Sequence, residues 1–206
     1  MPTCGNSFNI KKTMWLLRNS NMIIDKFLGN QSVIVSLDVD NFLFQRLDQI
    51  IEAGFNLIEI NSTDPKLLSQ IINQHPNIKV GAGGIIDTEQ LENCYQAGVY
   101  FASSPGFLPA IAQTANIYSM NYFPGVATIS EAMAAMSIGY QQVRPFPANL
   151  AFCTVLNKCL PGLSLFPAEI EWDEAEHFLN LPAVAAVSIH NPDEKQLNAL
   201  SSGILA

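Results

Sequence analysis

The sequence predicts a (β/α)8 TIM barrel, an α/β fold, with an additional N-terminal helix and a single domain over residues 1–206. Three observations lead there. Short apolar runs rich in β-branched residues alternate with helix-periodic segments from about residue 32 to the end. A helix–glycine–strand junction recurs as Ala53-Gly54-Phe55, Ala97-Gly98-Val99 and Ile138-Gly139-Tyr140, at intervals of 44 and 41 residues, each two β-α units long. The strand-like runs number eight, and helices of this length between them imply parallel pairing with right-handed crossovers.

Residues 8–28 read as an amphipathic helix that plugs the amino end of the barrel, within a helical extension over residues 1–30. The first strand is 32–37, Ser-Val-Ile-Val-Ser-Leu, followed by a polar turn from Asp38 to Asn41. Leu43, Leu47, Ile50 and Ile51 recur at helical spacing, and Gly54 ends that helix. Strand two covers 55–60, and Leu67, Leu68, Ile71 and Ile72 mark the helix after it. Further strands are expected at 78–82, 99–103, 118–123, 142–146, 162–166 and 184–189. Thr128-x-x-Glu131 is a capping box that opens the helix after strand five. A doubly wound sheet is the competing fold. Its dinucleotide fingerprint is missing, because Gly81-Ala82-Gly83-Gly84 is too short a match and lacks an acidic residue at the right remove.

Composition narrows the function. The chain is 49% hydrophobic, enough for a sizeable core, and its net charge of −8 with ten Lys and Arg speaks against nucleic acid or an anionic membrane as partner. No apolar run approaches the ~20 residues of a membrane span, and no signal pattern opens the chain. Cys4, Cys94, Cys153 and Cys159 have neither metal-ligand nor disulfide spacing and read as free thiols of a reducing compartment. The cytoplasm is the compartment expected by default.

In a barrel of this kind, functional groups lie at the carboxyl ends of the strands. Strand two carries Glu59 inside Leu57-Ile58-Glu59-Ile60, and a lone carboxylate there is costly unless it has a partner or a proton-transfer task. Lys79 sits at the wrong end of strand three, and Lys158 belongs to an outer helix face. His75, His177 and His190 are scattered; only His190, ending strand eight, is placed to enter a pocket. The acidic run from Glu169 to Glu176 reads as a solvated helix start, because it lacks the periodicity and central glycine of a calcium loop. No metal site, cofactor motif, Gly-x-Ser-x-Gly elbow or Cys/His pair emerges.

The strand ends Leu57–Pro65, Val80–Gly84, Phe101–Phe107, Phe123–Thr128 and Val143–Ala148, in this order and at these intervals, resemble those of the 2-keto-3-deoxy-6-phosphogluconate (KDPG) / 4-hydroxy-2-oxoglutarate (KHG) aldolase family. The resemblance implies reversible aldol cleavage of a 2-keto-3-deoxy sugar acid to pyruvate and an aldehyde, without a cofactor, by a trimer. Glu59 matches the family's general acid/base. Arg144 occupies the position of the Schiff-base lysine, and a guanidinium stays charged where that chemistry needs a neutral amine. Thr63 replaces the arginine that holds the pyruvate carboxylate, and Gly84, after Gly83, replaces a threonine that bonds the keto acid. Ser104, Pro105, Gly106, Pro124, Gly125, Thr128 and Phe146 follow the family's pocket loops. Glu169 and His190 fall where glycine pairs cradle the phosphate, and side chains at Ala168 and Ile189 would crowd that cradle.

Two functions are compatible with this pattern. One is an aldolase-family enzyme with altered chemistry, in which Glu59 moves the proton and Arg144 holds a keto-acid carboxylate or stabilises an enolate electrostatically. The other is a non-catalytic barrel that binds a small carboxylate or serves as an oligomeric scaffold, with Glu59 and Arg144 as an internal ion pair.

Overall fold

A computed structural model of the chain describes residues 27–29 and 31–201. The chain divides into two units at Asn30, and the fold set out below is that of residues 31–201. The N-terminal helix expected over 8–28 falls outside the described residues apart from Phe27 and Leu28, which are helical.

Parallel strands alternate with helices in a barrel-like α/β fold. β1 (Val33–Leu37), β2 (Leu57–Ile60), β3 (Lys79–Ala82), β4 (Phe101–Ser103) and β5 (Asn121–Phe123) form one sheet, with β9 (Val187–His190) on the other side of β1. β6 (Gly125–Val126), β7 (Gln142–Pro145) and β8 (Ser164–Leu165) form a second. Single parallel bridges join Leu165 to Val184 and Ile170 to Ile189. The helices are α1 (Leu43–Glu52), α2 (Pro65–Gln74), α3 (Thr88–Ala97), α4 (Pro109–Ile117), α5 (Ile129–Ser137), α6 (Leu150–Cys159), α7 (Ala175–Leu179) and α8 (Glu194–Ser201), with a 3-10 turn at Trp172–Glu174.

Several expected strands begin later than the apolar runs suggest. Tyr118 closes α4 as its C-cap, so β5 starts at Asn121. Strand five is also interrupted at Pro124, which has no N–H for a ladder. The Pro124 carbonyl still accepts the Arg144 N–H at 2.9 Å, and Gly125 pairs with Arg144 in register. That pairing sets the height of Arg144 in the fold.

Period-two alternation sorts the side chains into two environments. Val33, Val35, Leu37, Ile58, Ile60, Val80, Ala82, Val143, Val187 and Ile189 pack into the core beneath the helices. The alternate residues turn inward. Ile34, Leu57, Phe101, Phe123 and Phe166 fill the interior, with Phe101 edge-on to Phe123 at 5.9 Å and Phe123 tilted against Phe166 at 4.5 Å. Gly81 makes room for this layer, because a Cβ there would lie 2.1 Å from the Phe101 ring. Towards the carboxyl ends the buried side chains become polar: Ser36, Glu59, Ser103 and Arg144.

The capping box at α5 forms as the sequence pattern implies. The Thr128 hydroxyl accepts the Glu131 N–H at 3.2 Å, and the Glu131 carboxylate accepts the Ala127 and Thr128 N–H groups at 2.8 and 2.9 Å. Thr128→Ala is therefore expected to cost about 1 kcal/mol, read as a lower urea midpoint with an unchanged slope.

Candidate functional site

Glu59 is inward-facing because β2 places it between the helix-facing Ile58 and Ile60. It is fully buried, and Arg144 is only 6% exposed. The two make a fork-to-fork ion pair: Arg144 Nη2 donates to Glu59 Oε1 at 2.7 Å and Nη1 donates to Oε2 at 2.9 Å. The Ser103 hydroxyl donates to the same Oε2 at 3.0 Å. Gly83 lets the β3 backbone pass beneath this group, since a Cβ there would stand 2.9 Å from Glu59 Oε1 and 2.7 Å from Asn61 Oδ1.

The pair forms the floor of a cavity of about 310 Å³. Asn61, Ser62 and Thr63 line it from the loop after β2, Gly83 and Gly84 from the loop after β3, and Ser103, Ser104 and Pro105 from the end of β4. Phe146 and Glu169 complete the wall beyond β7 and β8. Asn61, Ser62 and Ser103 are the members that the sequence reading did not nominate. Asn61 and Ser103 are legible by alternation alone: Asn61 lies two residues beyond Glu59, and Ser103 two beyond the inward Phe101.

The other nominated residues hold the frame instead. Gly106 offers its carbonyl to the Ser104 hydroxyl at 2.6 Å. Ser104 also shares a short hydrogen bond with the Tyr122 hydroxyl, whose pKa burial pushes up to about 12 against the opposing effect of that bond. Pro124 and Gly125 carry the pairing to β7, and Thr128 caps α5. None of these four lines the cavity.

His190 is likewise outside the cavity wall. Its Nε2 lies 3.0 Å from Asp38 Oδ2. Asp38 also accepts Asn61 Nδ2 and Asn191 Nδ2, each at 2.9 Å. Burial works to raise the Asp38 pKa, but these bonds and His190 outweigh it and hold the carboxyl below the usual carboxylate range. The network orients Asn61 from behind.

One expectation is corrected here. Ile189 does not crowd a phosphate cradle, because it faces the helix-side core between the inward Ser188 and His190. Backbone pairing takes up N–H groups that such a cradle would offer. Ala168 N–H donates to Pro145, Ile170 N–H to Ser188 at 3.3 Å and Asn191 N–H to Ser36 at 2.8 Å. The acidic residues of the run are exposed throughout, and Glu169 at its start also lines the cavity, in a left-handed conformation at φ +54°.

Lys158 is exposed on α6, and Lys79 lies at the start of β3 with its ammonium 5.0 Å from the Tyr100 ring centroid. Among the described residues no group of three or more His, Cys, Asp or Glu is arranged to hold a metal ion, and no helix is long and apolar enough to cross a membrane.

The family model described as KDPG and KHG aldolase matches residues 24–192. A probable 2-dehydro-3-deoxy-6-phosphogalactonate aldolase of Rhizobium meliloti (strain 1021) is 34% identical over 120 residues, 55% of this chain and 57% of that protein. The KHG/KDPG aldolase of Escherichia coli (strain K12) is 35% identical over 79 residues, 38% of this chain and 37% of that protein. The chain thus spans about half or less of the length of these curated relatives. A KDPG aldolase from Legionella pneumophila, solved with pyruvate captured as a covalent carbinolamine, has a TM-score of 0.76 at 24% identity, covering 87% of this chain and 93% of its own. That of Zymomonas mobilis ZM4 with 3-phosphoglycerate has a TM-score of 0.76 at 21% identity, covering 86% and 92%. At these identities the structural likeness speaks for the fold.

Proposed function

Because the chain belongs to the KDPG and KHG aldolase family yet holds a guanidinium against its buried glutamate, we propose that it has lost Schiff-base cleavage and serves as a non-catalytic binding barrel. The observation that carries this reading is the bidentate Arg144–Glu59 pair. Imine formation requires an uncharged amine at the carbonyl carbon, and a guanidinium does not deprotonate in a protein. Proton transfer requires a carboxylate oxygen within reach of the substrate. Both Glu59 oxygens are occupied, one by Arg144 and the other by Arg144 and Ser103. The reactive pair of an aldolase has in effect become a closed ion pair.

The same reading takes the two sheets as one barrel of eight strand positions. Counting β5 and β6 as a single strand broken at Pro124, and the bridges at Leu165–Val184 and Ile170–Ile189 as the last seam, supports it.

Borohydride reduction in the presence of pyruvate, followed by intact-mass measurement, tests the proposal. No covalent adduct is expected under conditions that trap a lysine-bearing family member completely. An adduct of pyruvate mass on this chain would overturn the reading and direct attention to Lys79 and Lys158.

A further inference from the structure

We infer that the cavity takes an uncharged, polyhydroxylated small molecule, a free sugar or polyol with neither phosphate nor carboxylate. This rests on the loss of Schiff-base chemistry proposed above and deepens it. In place of the keto-acid anion that the family resemblance implies, the charge on the cavity wall selects against anions.

Arg144 is the only basic residue among the described residues lining the cavity, and each of its terminal nitrogens donates to Glu59, whose carboxylate neutralises its charge. The pair is neutral as a unit, so Glu169 leaves the lining with one net negative charge. Backbone N–H groups beside it, at Ala168, Ile170 and Asn191, are bonded within the fold and do not point at a ligand. A carboxylate or phosphate entering here would lose hydration without gaining a counter-charge. A hydroxyl loses far less and finds acceptors.

The wall is suited to such a guest. Glu169 offers a carboxylate, Asn61 an amide held in one orientation by Asp38, and Thr63 a hydroxyl. Phe146 provides an aromatic face for the C–H side of a sugar ring. The volume of about 310 Å³ lies at the small end of ligand sites, as a single monosaccharide requires.

The test is saturation-transfer-difference NMR at millimolar ligand with a neutral and an anionic set of probes. The neutral set is D-glucose, D-galactose, D-ribose and xylitol; the charged set is D-gluconate, 6-phospho-D-gluconate and pyruvate. At least one neutral probe is expected to bind, with every charged probe at least about tenfold weaker. Glu169→Lys, which reverses the net charge of the wall, is expected to invert that preference. Lys158→Gln, on the exposed face of α6, is expected to leave it unchanged. Binding of a charged probe as tight as that of the best neutral one would overturn the inference. So would the failure of every neutral probe, or an unchanged preference in a folded Glu169→Lys variant. A pyruvate adduct on borohydride treatment would overturn the function proposed above as well, whereas absent sugar binding without an adduct overturns the ligand class alone.

Discussion

Replacing Glu59 by Leu while leaving Arg144 in place is expected to destabilise the fold by about 3–5 kcal/mol, because it strands a guanidinium in a site only 6% exposed. Arg144→Met should cost a similar amount by stranding the carboxylate, whose remaining partner is the Ser103 hydroxyl. The combined Glu59→Leu/Arg144→Met variant should lose much less than the sum and fall near the stability of the parent, since two apolar side chains need no counter-ion. Urea unfolding of the four proteins closes the cycle. Additive losses, or a double variant as unstable as the singles, would show that the pair is not the coupled unit described here.

Gly125→Ala is expected to cost about 3 kcal/mol or more, beyond the usual overpacking penalty, because the obstruction is backbone. A Cβ at Gly125 would stand 2.3 Å from the Pro105 carbonyl carbon and 2.5 Å from the Ser104 carbonyl oxygen. Neither can rotate away as a side-chain tip can. Relief requires moving the Ser104–Pro105 segment that forms one wall of the cavity, so ligand binding should weaken together with stability. Gly106→Ala supplies the contrast, since a Cβ there meets nothing within 4 Å, and its effect should stay within about 0.5 kcal/mol. Denaturation midpoints for the two variants check the claim. Equal losses at both positions would mean that the loop tolerates glycine replacement for reasons unrelated to close approach.

The frame of this protein was legible because local chemistry repeats. Val35, Ile58 and Val80 mark buried parallel strands, glycines end helices, and Thr128 with Glu131 writes its capping box into four consecutive residues. Glu59 stands out for the same reason, as a charge within a strand whose neighbours are all apolar. Arg144 stands out only by its position in a recognisable order of motifs. Each of these signals is contained in a short stretch of chain.

What could not be read in this way depends on residues far apart in sequence. The Glu59–Arg144 ion pair is one of two readings open to the sequence; that it closes with both nitrogens follows from the Gly125–Arg144 register and the closeness of β7 to the β2 end, across 85 residues of chain. Ser103 joins them only because β4 brings its hydroxyl to the same oxygen. His190 points to the pocket by strand position, yet Asp38, 152 residues earlier, captures it. The backbone N–H groups near Glu169 are indistinguishable in sequence from free ones until strand pairing takes them up. Period and propensity act between neighbours and so specify strands and helices, while the family shows in the order of short strand-end motifs. Whether a buried charge is available or already neutralised depends on long-range packing, and here the fold closes the pair.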